Sequence, residues 1–97
     1  MISVKIHVRE GERLLAACDE ELLGKTFSAD GMRLKVSEIF YHGESITEEA
    51  FRERMKSVTI MNLVGERTVS MAEEEGYVSP DSVITIDGVR HAQAVIM

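Results

Sequence analysis

Val83-Ile84-Thr85-Ile86-Asp87-Gly88-Val89-Arg90-His91-Ala92-Gln93-Ala94-Val95-Ile96 is the stretch whose reading decides the fold. Two runs rich in β-branched residues flank an Asp-Gly pair, and that pair supplies the two positive-φ residues of a type I′ turn. The segment predicts an antiparallel hairpin at the C-terminal end, with Ser79-Pro80-Asp81 as the turn before it. The opposite end of the chain reads the same way. Ile2, Val4, Ile6 and Val8 alternate with Ser3, Lys5, His7 and Arg9, which describes a strand with one buried and one wet face. Glu10-Gly11-Glu12 then turns the chain into a second strand, Arg13 to Cys18, whose unbroken apolar run points to cover on both faces.

Between the hairpins the signals are mixed. Asp19 is placed to cap a short helix over Glu20–Leu23 that ends at Gly24. Ser28-Ala29-Asp30-Gly31 reads as a turn into a further amphipathic strand, in which Met32, Leu34 and Val36 alternate with Arg33, Lys35 and Ser37. Ile39 to Glu44 fits neither period. Thr47 caps a helix with Glu48 and Glu49 in its first turn, and Ile46 and Phe51 form a hydrophobic staple. Another helix is expected through Leu63, Val64, Met71 and Ala72 to Gly76, with Thr59 or Asn62 as its cap and Val58–Met61 as an alternative strand. Paired strands without βαβ units predict an α+β fold: a single small domain over residues 1–97, with a largely antiparallel sheet, N- and C-terminal hairpins and about three helices.

Composition sets the class. Of 97 residues, 44% are apolar and 29% charged, which is ordinary for a globular domain. The one cysteine, Cys18, rules out an internal disulfide. No apolar run approaches the roughly 20 residues of a membrane span, and the N-terminal residues lack a signal-peptide core, so the expected location is cytoplasmic with no membrane partner. A net charge of −6 disfavours indiscriminate nucleic-acid binding.

Three stretches carry candidate chemistry: Ala17-Cys18-Asp19-Glu20-Glu21-Leu22-Leu23-Gly24-Lys25, Asn62-Leu63-Val64-Gly65-Glu66-Arg67 and Gly88-Val89-Arg90-His91-Ala92-Gln93. Together, and in the order of elements between them, they resemble an uncharacterised, mainly archaeal family, domain of unknown function 424. Where the family pattern has a proline before the histidine, this chain has Arg90. The resemblance implies an archaeal, cytoplasmic, single-domain protein and transfers no activity.

The residues themselves leave several readings open. Asn62, Gly65, Glu66 and Arg67 at a helix N-terminus, with Lys25, describe an anion or carboxyl site, or simply a capped helix packed tightly on a sheet. Cys18, Asp19 and His91 are candidates for a thiol–imidazole pair with an orienting carboxylate, and Gln93 shares the face of His91. The plainer alternative is a buried packing cysteine. His7, His42, His91 and Cys18 have no metal-ligand spacing, and nothing calls for a cofactor. Residues 19–31 hold four acids against Lys25, and residues 58–75 hold four against Arg67. Lys5, His7, Arg9, Arg33 and Lys35 fall on the wet faces of two strands. If those strands share a sheet, they form a basic face suited to an RNA backbone, a ribonucleoprotein or an acidic protein, or a merely solvated face. The leading expectation is a non-enzymatic binding module. A small enzyme or ligand-binding protein centred on Cys18, Asn62, His91 and Gln93 is the rival, and the oligomeric state is left open.

Overall fold

The computed structural model describes residues 1–96. Its strands are β1 (Ile2–Arg9), β2 (Glu12–Asp19), β3 (Thr26–Ala29), β4 (Met32–Lys35), β5 (Glu44–Ile46), β6 (Ile60–Val64), β7 (Ile84–Ile86) and β8 (Val89–Val95). Three α-helices join them: α1 (Glu38–Tyr41), α2 (Glu48–Arg54) and α3 (Glu66–Glu74). Six strands form one sheet in the order β5-β1-β2-β6-β8-β7, while β3 and β4 form a separate two-stranded ribbon. The fold is α+β and mostly antiparallel, and the central pair β2–β6 runs parallel.

Both terminal hairpins form as the sequence predicts. Glu10-Gly11, Asp30-Gly31 and Asp87-Gly88 each place two successive residues at positive φ, so all three hairpins turn through the same two-residue geometry. Alternation then assigns the faces. Ile2, Val4, Leu15, Ala17, Met61, Leu63 and Ala92 point to one side and pack with Phe51, Met55, Val69 and Ala72 of the helical layer. Thr47 caps α2 by accepting from the Ala50 N–H at 3.1 Å. On the other side, Ala16, Cys18 and Val64 pack beneath Leu34 and Val36 from the ribbon segment and Tyr41 of α1.

Several expectations change. The helix expected through Leu63 and Val64 is instead strand β6, because both residues fill core positions on opposite faces of the sheet. The helix begins only at Glu66, after Gly65 has turned the chain at φ +112°. Residues 20–22 form a single 3-10 turn, and Asp19 does not cap it. Ser28 and Ala29 belong to β3, which leaves Asp30-Gly31 as the turn. The radius of gyration, 12.4 Å, matches the value of about 12.5 Å expected for one domain of this length. Among the described residues, no helix is long and apolar enough to cross a membrane.

Candidate functional site

The register brings the three sequence motifs together. Cys18 pairs with Val64 and Val64 with His91, while Ala16 pairs with Asn62 and Asn62 with Gln93. Directly paired residues point to the same side of a sheet, so Cys18, Asn62, His91 and Gln93 share the face opposite α2 and α3. They do not make a nucleophile. Strands lie about 4.8 Å apart, so Val64 separates Cys18 from His91 by about 10 Å, far beyond hydrogen-bond reach. Cys18 is fully buried, and burial, helped by the charges of Asp19, Glu21 and Glu20, pushes its thiol up to about 12. A thiol in that setting stays protonated and unreactive.

The helix N-terminus at Gly65–Arg67 is filled from within the chain. Asp19, only 4% exposed, accepts from the Arg67 N–H at 3.2 Å and the Thr68 N–H at 2.9 Å. The Thr68 hydroxyl donates to the same carboxylate at 2.7 Å. Asp19 and Gly65 follow the paired ends of the two parallel strands, so the carboxylate lands where the helix leaves its first amide hydrogens unpaired. Gly65 is required there. A Cβ would lie within 2.7 Å of both carboxylate oxygens. The charged residues of the motif are tied into ion pairs: Arg67 with Glu21 at 2.8 Å, and Glu66 with Arg90 at 3.6 Å. Arg90 also donates to Glu73 at 2.6 Å, and that bond raises the guanidinium above its ordinary value.

Asn62 sits differently. The buried Tyr41 hydroxyl donates to its Oδ1 at 2.6 Å, which leaves the amide N–H₂ as the free end of the side chain. His91 Nδ1 lies 2.9 Å from the Leu63 carbonyl oxygen. A carbonyl only accepts, so Nδ1 carries a proton and donates to it, which fixes the ring's orientation. Gln93, exposed, lies directly across from Asn62. One row further, Leu14, Ile60 and Val95 continue the same face, and Val95 is 70% exposed. A cavity of about 550 Å³ lined by His7, Arg9, Glu12, Leu14, Phe40 and Ile60 opens beside this row. The result is a partly uncovered sheet face, flanked by α1 on the β1–β2 side and by the ribbon on the β7 side. Tyr41, which orients Asn62, falls in the stretch where sequence periodicity fails, so nothing local pointed to it.

The expected basic face does not form as one surface. Lys5, His7 and Arg9 lie on β1 of the large sheet, whereas Arg33 and Lys35 lie on β4 of the ribbon. The wet face of β1 is partly covered by α1. Lys5 Nζ donates to the Ile39 carbonyl at 2.8 Å, and His7 stacks on Phe40 at 4.7 Å while its Nε2 bonds the Phe40 carbonyl oxygen at 2.9 Å. Five of the eleven Lys and Arg residues form ion pairs: Arg52, Arg54, Lys56, Arg67 and Arg90. Lys5 and Arg13 bond backbone carbonyls instead. Among the described residues, that leaves the side chains of Arg9, Lys25, Arg33 and Lys35 free, and three of these four belong to the ribbon segment. On the ribbon's outer face Lys35 lies opposite Thr26, and Arg33 opposite Ser28, all four exposed. Asp30, at the turn, is the one acid of the ribbon. Among the described residues, no three His, Cys, Asp or Glu side chains converge in a metal-binding group.

No curated protein matches the chain. In solved structures, an uncharacterized conserved protein from Methanopyrus kandleri has a similar fold, with a TM-score of 0.80 and 30% sequence identity over 99% of this chain and 91% of that one. The family model described as "Protein of unknown function (DUF424)" matches residues 7–97, which spans every strand of both sheets at least in part. The chain belongs to that family.

Proposed function

We propose that this protein is a non-enzymatic binding module of the cytoplasm that docks onto RNA, alone or within a ribonucleoprotein, through the outer face of the β3–β4 ribbon. One observation carries the reading: the free cations Arg33 and Lys35 gather on the outer face of a short ribbon beside two free hydroxyls, with exposed Lys25 just before its first strand, while most other cations are neutralised by acids. Arg, Lys, Ser and Thr are the side chains that most often hold phosphate oxygens, and a two-stranded ribbon is narrow enough to follow a backbone. The inert setting of Cys18 argues against the rival enzyme reading.

Fluorescence anisotropy with a labelled single-stranded RNA tests the proposal across a salt series. Each phosphate contact contributes about 0.7 to the slope of log affinity against log salt for single strands. The triple variant Lys25→Ala, Arg33→Ala, Lys35→Ala is expected to bind more weakly and to lower that slope by about 2. Lys56→Ala, which removes a cation already paired with Glu53, is expected to change neither. Affinity indifferent to salt, or unchanged in the triple variant, would sink the proposal.

A further inference from the structure

The outer strands of the large sheet cover their neighbours only in part. Strand β5 has three residues against the eight of β1, and β7 three against the seven of β8. Hydrogen bonds to the β6 side fix which way β8 faces. The Arg90 carbonyl accepts from the Gly65 N–H and the Ile96 N–H donates to the Thr59 carbonyl, so Arg90, Ala92, Ala94 and Ile96 face β6. Gln93 and Val95 therefore turn their N–H and C=O groups to the outer edge. There β7 begins only at Ile84, opposite His91, and the chain before it departs in the 3-10 turn Pro80–Ser82. Among the described residues, nothing bonds those groups, and Val95 is 70% exposed. Strand β1 leaves a matching half-edge. Arg9 and Glu12 close a two-residue turn, so Ile6 and Val8 face outward, beyond the reach of β5. The two half-edges differ in charge. Lys5, His7 and Arg9 guard the first, whereas residues 92–96 hold no charged side chain.

From this arrangement we infer that β8 pairs antiparallel with β8 of a second copy of the chain, about a twofold axis at Ala94, and joins the two sheets into one. In that register Gln93 and Val95 of each copy exchange N–H···O bonds with Val95 and Gln93 of the other. Ala94 lies across from its own copy, and Ile96 across from Ala92. Every pair is uncharged. The same operation on β1, about His7, sets Lys5 across from Arg9 of the second copy, and like charges directly opposed are destabilising. Pairing β1 of one copy with β8 of the next leaves a free half-edge at each end and grows without closing. A foreign charged strand finds no complementary charge along residues 92–96, whereas a second copy matches the edge in length and polarity. The axis of an antiparallel pair is normal to the sheet, so both open faces, each bearing its β3–β4 ribbon, lie on one side of the joined sheet.

Sedimentation equilibrium of the full chain over a concentration series tests the inference. A short strand pair stands at the low end of interface sizes, so a dimer with a dissociation constant on the order of 0.1 mM is expected. Gln93→Pro removes an N–H that the monomer does not use, and Val95→Lys supplies the missing guard. The proline deletes one hydrogen bond on each side of the axis, which is expected to weaken the dimer about tenfold or more. The lysine is expected to weaken it as well, with the circular dichroism of both variants unchanged. Val8→Lys, on the other half-edge, is expected to leave the dimer as it is. Amide exchange followed by NMR reads the seam directly: Gln93 and Val95 are expected to exchange more slowly as concentration rises, and Ile6 and Val8 at a constant rate. A monomer at every concentration, which leaves the edge to a foreign strand, overturns the inference. So does a mass that climbs past the dimer, or a dimer dispersed by Val8→Lys and untouched by both changes in β8.

Discussion

Asp19 and Gly65 show how two residues far apart in sequence define one helix. The helix needs an anion at its first amides, and the chain supplies one from the end of a neighbouring strand. Asp19→Ala is expected to cost about 2 kcal/mol, the upper range for a lost cap, because the Thr68 hydroxyl loses its acceptor as well. Gly65→Ala is expected to cost about 3 kcal/mol, combining a φ of +112° with a collision against the Asp19 carboxylate. Urea denaturation of both variants checks these values, and the glycine change should be the more damaging. A second residue-scale effect comes from protons. Burial pushes Cys18 from 9.0, and Tyr41 from 10.0, up to about 12. Between those values the unfolded chain has lost protons that the folded chain keeps, so folding stability is full below about pH 9 and declines toward pH 12. The decline is about 1.4 kcal/mol per pH unit for each group once its unfolded form is ionised. Urea midpoints from pH 8 to pH 11 are expected to fall accordingly, and Cys18→Ala removes the part that begins earlier. The sequence marked Asn62 to Arg67 as a helix N-terminus with an affinity for anions. It held no sign that the anion was Asp19, because the two meet only through strand pairing across more than 40 residues.

At the scale of single elements, the legible parts were those with a local cause. Alternation identified β1 and β4, Asp-Gly marked the last hairpin, and Thr47 announced α2. Helix α1 has only four residues and no side-chain cap, so its existence depends on what it rests against. His7 and Lys5 hold its carbonyls, which is why polar residues of β1 that read as wet are partly covered. His7→Ala is expected to speed amide exchange across residues 38–42 about tenfold, since it removes one hydrogen bond and an aromatic stack. Hydrogen-exchange mass spectrometry would show it, with β6 unaffected as the internal control. Strand β6 was misread as helix because its apolar residues lie on both faces. A strand buried on two sides shows no alternation and is distinguished from a buried helix only by its length and neighbours.

For the molecule as a whole, the α+β class followed from paired strands without crossover units, yet the one crossover that exists lies at its centre. The parallel pair β2–β6 joins Leu14 to Ile60 and Cys18 to Val64, with the ribbon, α1, β5 and α2 lying between. Nothing local encodes a contact over that distance, and the same crossover separates the basic residues of β1 from those of the ribbon. It also sets the order of events in folding. Closing a loop of that length costs about 3 kcal/mol of chain entropy before any central contact repays it, whereas the terminal hairpins close over two residues. The hairpins can therefore form early and wait, and the β2–β6 seam controls the rate. Stopped-flow refolding is expected in the millisecond range rather than the microseconds of helical bundles. Ala16→Gly on the seam should slow refolding, and Asp87→Ala in the last turn, whose hairpin is already formed when the seam closes, should leave the unfolding rate nearly unchanged. A newly made chain would thus hold its first hairpin finished, with the inner edge of β2 unjoined, until β6 has left the ribosome.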